Sequence, residues 1–150
     1  MTTIQKIFKI FILIVIWSGT AYSLFKVWNL FVADEFFASG MSSGRLEGFQ
    51  KAVGLNPMEE TYWRNLGLAC AISSKIETVP QVKAELKKAG ATYLEEAVRL
   101  NPDNILTLKT AVLGYNELGD GKQAQKILKL LQTRIPTDKS VWEATESSVQ

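Results

Sequence analysis

An apolar segment near the N-terminus constrains the structure of this 150-residue chain more than any other feature. Between Lys9 and Lys26 lie 16 uncharged residues, IFILIVIWSGTAYSLF, and the apolar pattern continues to Ala33. As an α-helix, residues 10–33 rise about 36 Å, which is enough to cross a hydrocarbon core of about 30 Å with some tilt. We therefore predict a transmembrane helix over residues 10–33, preceded by a cytoplasmic N-terminus, residues 1–9.

Two alternatives for this segment remain open. Lys6 and Lys9 are suited to the basic end of a cleaved signal peptide, with Ala21-Tyr22-Ser23 as the cleavage site. The segment also suits a buried helix of a soluble protein. Against cleavage, the apolar residues continue beyond the cleavage site as far as Val32.

The charges that flank the segment predict its orientation. Lys6 and Lys9 precede it, and Lys26 lies towards its far end. Because the positive-inside rule counts basic residues, two against one predicts a single-pass protein of the cytoplasmic membrane, with its N-terminus inside and the rest extracytoplasmic. Residues 34–150 hold 14 basic and 15 acidic side chains, so the net charge of +2 comes from the N-terminal end. Nucleic acid is not an expected partner, since it requires a basic patch on the folded part.

The composition excludes several kinds of catalytic and metal site. The chain has no histidine and one cysteine, Cys70. It therefore has no His-based triad, no His metal ligand, no disulfide within the chain and no CxxC motif. We expect Cys70 to be a buried packing thiol. The sequence predicts a protein that is not an enzyme and that has no cofactor, no metal and no small-molecule substrate.

Three phrases that end in proline recur in the rest of the chain. Proline disfavours the helical conformation of the residue before it, so each phrase predicts the end of a helix. The second and third prolines are 34 residues apart, and the first two are 45 apart, which is one 34-residue period with 11 extra residues. The phrases are Val53-Gly54-Leu55-Asn56-Pro57, Val98-Arg99-Leu100-Asn101-Pro102 and Thr133-Arg134-Ile135-Pro136.

A 34-residue period that closes on proline resembles the tetratricopeptide repeat, whose pattern is W-x2-L-G-x2-Y, then A-x3-F, then P. Trp63, Leu66, Gly67 and Cys70 match the first part of that pattern, with cysteine in place of tyrosine. The resemblance implies an all-α fold, in which the N-terminal transmembrane helix continues into a short solenoid of helical hairpins. Its parts would be unit 1, residues 26–59; unit 2, residues 60–104; unit 3, residues 105–138; and a capping helix or tail, residues 139–150.

The first two units depart from the family pattern. The first helix of unit 1 is shared with the membrane helix, which implies that no flexible linker separates the two. Unit 2 carries 11 extra residues around positions 74–84. We interpret them as a longer loop followed by an extended second helix, about Pro80 to Leu100, with Thr78 as its cap.

In tetratricopeptide proteins the first helices line a groove that binds peptide segments of a protein partner. By resemblance, Arg64 and Lys109 would present two cations beside apolar neighbours, suited to an acidic segment or a C-terminal carboxylate. This hypothesis expects Arg64→Ala and Lys109→Ala to weaken capture of the partner without unfolding the protein. The implied groove residues are Leu30, Asp34, Phe37, Arg64, Leu68, Ala71, Lys109, Leu113 and Asn116.

The phrase ADEFFASG, residues 33–40, carries a narrower resemblance. It is similar to the junction after the last membrane helix of bacterial O-antigen ligase/polymerase-like proteins with C-terminal tetratricopeptide repeats. The chain lacks their polytopic part, so this likeness implies no catalysis. We predict a membrane-anchored scaffold for protein–protein interaction in envelope or surface-polysaccharide assembly. Two alternatives remain open: an accessory or split-off subunit of such an enzyme, and a structural homo-oligomer.

Overall fold

The computed structural model describes residues 3–135, with side chains from residue 11 onwards, and this part of the chain is all-helical. The predicted all-α class is confirmed, together with one long apolar N-terminal helix. The tail predicted for residues 139–150 lies outside the described residues. The six helices are α1 Thr3–Ser43, α2 Leu46–Leu55, α3 Glu60–Ile76, α4 Pro80–Leu100, α5 Ile105–Leu118 and α6 Gly121–Arg134.

Local turn and cap chemistry explains where the helices begin and end. Gly44, with φ of 68°, ends α1 and donates its N–H to the carbonyl of Gly40 at 2.8 Å. Gly119, with φ of 80°, ends α5, and glycine adopts positive φ without steric cost. The side chains of Asn104 and Asp120 accept backbone N–H groups in the first turns of α5 and α6. The helix ends expected at the two Asn-Pro pairs are confirmed, because the last residues of α2 and α4 directly precede the asparagines.

Short connectors arrange the helices as three successive hairpins. The connectors within the hairpins are residues 44–45, 77–79 and 119–120. The connectors between hairpins, residues 56–59 and 101–104, lie at the opposite end of the stack. We call this second end the proximal end, because Tyr62, near the start of α3, lies against the stretch of α1 that enters the core. Chain direction alternates from helix to helix, so α1, α3 and α5 run parallel to one another.

The 11 extra residues of the second unit lengthen its helices. α3 has 17 residues and α4 has 21, whereas α5 and α6 have 14 each. Ten of the extra residues are therefore helical, and the connector at 77–79 is one residue longer than that at 119–120. The helix Pro80–Leu100 is confirmed, and the loop is longer by one residue only, because three of the extra residues lengthen α3 instead.

The start of α4 corrects one detail of the sequence interpretation. Pro80 occupies the first turn, as expected, but Val79 rather than Thr78 is the residue that precedes the helix. Its side chain offers no cap. The carboxylate of Glu77 instead accepts the N–H groups of Thr78 and Val79, each at 2.8 Å, so the connector is held by a side chain on its own first residue.

Glycines set how closely the helices approach. A Cβ added to Gly114 of α5 would lie 2.5 Å from a methyl of Leu94, and one added to Gly67 of α3 would lie 2.8 Å from the same side chain. Leu94 of α4 is fully buried between them. In the first hairpin, Gly48 of α2 lies against the backbone of Gly40 in α1. These contacts bring the helices close enough to form two clusters of buried apolar residues.

Candidate interaction surface

The N-terminal part of α1 has an apolar surface that no other part of the described chain covers. The stretch Phe11–Ser43 is long and apolar enough to cross a membrane, with a mean hydropathy of 1.5. Its large apolar side chains are exposed from Phe11 to Phe31. The first buried side chain along α1, among those described, is Ala33. The helix therefore changes at that residue from an apolar exterior to a packed interior.

Beyond Ala33 the same helix joins the folded core. The ring of Phe37 lies 5.0 Å from that of Tyr62 in α3 and 5.7 Å from that of Phe49 in α2. The Tyr62 hydroxyl donates a hydrogen bond to the carboxylate of Asp34. Burial, and then this bond to a carboxylate, raise the pKa of Tyr62 above its ordinary value, so the hydroxyl stays a donor at neutral pH. Aromatic packing and a charge-assisted bond thus attach α1 to α3 directly.

A buried polar network connects α3 to α5. Glu60 and Arg64, one turn apart on α3, form an ion pair at 3.5 Å, and each side chain is 11% exposed. Arg64 also donates to the hydroxyl of Thr107 at 3.2 Å, and that hydroxyl donates to Glu60. Asn104, which caps α5, donates to Glu60 at 2.7 Å. The network therefore fixes the start of α5 against the first turn of α3.

The structure places several of the predicted groove residues between the helices. Arg64 is 9% exposed and Ala71 is fully buried, so neither lines an open surface. Arg64 is occupied by Glu60 and Thr107 instead of being available to a partner. Asp34 and Phe37 contact Tyr62 of the next hairpin. Asp34, Phe37 and Arg64 thus make contacts between successive first helices, and Ala71 is buried in the core.

Asp34 is nevertheless exposed and Phe37 half-buried, and the remaining predicted residues are also exposed or half-buried. Leu113 is exposed, and Leu68, Lys109 and Asn116 are half-buried. Leu30 is exposed on the apolar part of α1, three residues before the core begins. Leu68 and Leu113 are the two predicted positions that lie on a continuous open strip.

That strip contains three residues that the sequence reasoning missed: Ile72, Lys75 and Glu117. Lys75 and Glu117 form an ion pair across α3 and α5. Ile72 is 50% exposed and lies one turn before Lys75, as Leu113 lies one turn before Glu117. We call Leu68, Ile72, Lys75, Leu113 and Glu117 the α3/α5 face. The sequence could have indicated this face, because residues 68, 72 and 75 are spaced so that they lie on one side of a helix.

Burial favours the neutral forms of two core side chains, Cys70 and Tyr115. Burial raises the pKa of the Cys70 thiol to about 11, which leaves it protonated and unreactive at neutral pH. Burial, together with Glu95 and Asp120, raises the pKa of Tyr115 to about 12. Within residues 11–135, no group of three or more Cys, Asp or Glu side chains is placed to hold a metal ion. A scan against protein-family models and a search of the curated proteins found no match for this chain.

Proposed function

We propose that the chain is a membrane-anchored, non-enzymatic scaffold that binds a protein partner through its α3/α5 face. The observation that carries this proposal is the continuity of α1. One uninterrupted helix has an uncovered apolar surface as far as Phe31 and packs into the core from Ala33 onwards. Such a helix would hold the hairpins at a fixed position above a bilayer, which suits a protein that positions others.

The tetratricopeptide-like character of the stack is part of the proposal. Three consecutive hairpins with short connectors support it, as do the direct contacts between their first helices. The third hairpin, α5 and α6, has the compact helices that a 34-residue unit requires. Stacked hairpins of this kind need their neighbours to bury their apolar sides, and here α3 packs against α1 and α2, and α5 against α3 and α4.

The charges at the ends of the apolar segment support the proposed orientation. Lys6 and Lys9 precede it, against the single Lys26 near its far end. In this orientation the N-terminus lies in the cytoplasm, and the hairpins lie outside the cytoplasmic membrane. A scaffold placed there would serve an assembly of the cell envelope, such as one that handles surface polysaccharide.

The α3/α5 face suits a partner segment with apolar side chains. Ile72 and Leu113 are exposed apolar residues on neighbouring parallel helices, and the Lys75–Glu117 pair bounds them on one side. Apolar anchors surrounded by polar groups are typical of surfaces that bind a peptide or a helix. Because Lys75 and Glu117 neutralise each other, the face favours apolar recognition over capture of a strongly charged segment.

Site-specific photocrosslinking tests this proposal. A photoreactive amino acid replaces Ile72 or Leu113 in the full chain, in membranes of cells that produce it naturally, and Gln125, an exposed residue of α6, is the matched control. We expect the same partner protein to be crosslinked at positions 72 and 113, and no crosslink at 125.

Two results would contradict the proposal. Equal crosslinking at all three positions would show that the partner does not bind the α3/α5 face in preference to the rest of the surface. Adducts that contain two copies of this 16.7 kDa chain and no other protein would instead show a homo-oligomer. Mass spectrometry of the adducts separates these cases.

A further inference from the structure

The proximal end of the stack exposes apolar side chains at both of its connectors. Met58, in the connector between α2 and α3, is 75% exposed. Ile105 and Leu106, which follow the connector between α4 and α5, are also exposed. Proline precedes each cluster, at Pro57 and Pro102. These apolar side chains all lie at the proximal end of the stack, so they form one surface that faces away from the far ends of the hairpins.

The hydrogen bond between Tyr62 and Asp34 shows which part of α1 lies beside the first connector. α3 extends two residues before Tyr62, to Glu60, which is about 3 Å of rise towards the N-terminal part of α1. Beyond Glu60 lies the connector with Met58. It therefore lies near the level of Leu30 and Phe31, where α1 has an exposed apolar surface. This is the level at which α1, if it crosses a bilayer, leaves the hydrocarbon region.

The second connector lies at a similar level. Thr107, directly after Leu106, donates a hydrogen bond to Glu60 in the first turn of α3. Leu106 is thus beside the start of α3, as Met58 is. The nearby acids Glu59 and Asp103 are engaged, because Glu59 accepts the N–H of Thr61 and Asp103 pairs with Arg134 at 2.7 Å.

We propose that Met58, Ile105 and Leu106 insert into the surface of the same bilayer that α1 crosses. The proposal rests on the proposed membrane crossing. The occupant is lipid because these side chains lie near the level at which the exposed apolar surface of α1 ends, where Trp28 and Phe31 are exposed, and aromatic residues favour that interfacial layer. Such contacts would add two points of attachment to the single helix, and would set the tilt of the α3/α5 face relative to the membrane.

Quenching of a fluorescent label by lipid tests this inference. Met58 or Leu106 is replaced by cysteine in a Cys70→Ala background and labelled with NBD. The full chain is placed in vesicles of phosphatidylcholine and phosphatidylglycerol that contain a shallow doxyl-labelled lipid. Ile76→Cys, at a position 79% exposed at the far end of α3, is the matched control. We expect loss of emission at positions 58 and 106 and unchanged emission at position 76.

A fourth label separates failure of this inference from failure of the proposed function. Phe25→Cys reports on α1 itself. Quenching at 25 without quenching at 58 and 106 overturns the inference and leaves the membrane anchor intact. Absence of quenching at 25 overturns the anchor, and the inference with it. A blue shift at 58 or 106 without quenching would mean that protein covers these residues, which also overturns the inference.

Discussion

Replacing Arg64 by methionine is expected to lower the free energy of unfolding by about 2–4 kcal/mol, because it leaves the Glu60 carboxylate buried without its cation. Methionine retains most of the apolar stem, so the loss is chiefly electrostatic. Thr107 and Asn104 still donate to Glu60 in this variant, but neutral donors do not replace a charge. Thermal unfolding of the full chain in mild detergent measures the change, and we expect the transition to fall by roughly 10 °C or more.

A second substitution isolates the charge. Glu60→Gln in the Arg64→Met background removes the carboxylate but keeps an oxygen that accepts from Thr107 and Asn104. The double variant should recover at least half of the lost stability, since no unpaired charge remains. Additive losses would show that the ion pair is not the source of the effect. Lys109→Met, at a half-buried position on the next first helix, is the control and should change stability little.

Gly48→Ala is expected to lower the free energy of unfolding by about 1–3 kcal/mol, because the added methyl overpacks the contact between α1 and α2. Its Cβ would lie 2.7 Å from the backbone N of Gly40 and 2.8 Å from the carbonyl of Phe36. Backbone atoms cannot rotate away as a side chain can, so the two helices must separate. The measurement is again thermal unfolding of the full chain, together with quenching of a label at Phe25 to show that α1 remains in the membrane.

Gly54→Ala in the same helix is the matched control. A Cβ there meets no heavy atom within 4 Å, so the variant should gain up to about 1 kcal/mol from the higher helix propensity of alanine. Opposite signs at positions 48 and 54 would show that helix contact, rather than glycine itself, decides the outcome. A gain at both positions would mean that α1 and α2 are not in close contact, contrary to the structure.

The helix ends were predictable from sequence because they depend on local chemistry. Asn56-Pro57 and Asn101-Pro102 disfavour helix whatever lies around them, and Gly119 supplies a positive φ. The extra residues of unit 2 were harder to place. Nothing in their sequence before Pro80 decides between a longer loop and longer helices. The buried residues of this hairpin lie up to Ser74 in α3 and from Gly90 onwards in α4, so the added turns at its far end extend helices that are packed elsewhere.

The candidate surface was less predictable than the fold, and Arg64 shows why. A first helix in the middle of the stack has neighbours on three sides, so its open strip is narrow. Successive residues on a helix differ in direction by about 100°. A shift of one residue therefore moves a side chain from the open strip into a contact. Leu68 lies at the edge of that strip, whereas Arg64 contacts α5 and Ala71 is buried in the core. Tertiary neighbours, which periodicity does not reveal, decide between these cases.

The central claim is that α1 passes from the bilayer into the folded core without a flexible break, and a cysteine accessibility scan along α1 tests it most directly. Each residue from 11 to 43 is replaced in turn in the Cys70→Ala background, and its reaction with a water-soluble maleimide is measured in vesicles. We predict uniform protection from 11 to about 31. From Ala33 onwards we predict protection that alternates with the helical period, strongest at Ala33 and Gly40, which are buried. Full reactivity over residues 11–31, or uniform reactivity over several consecutive residues after 31, would contradict the claim.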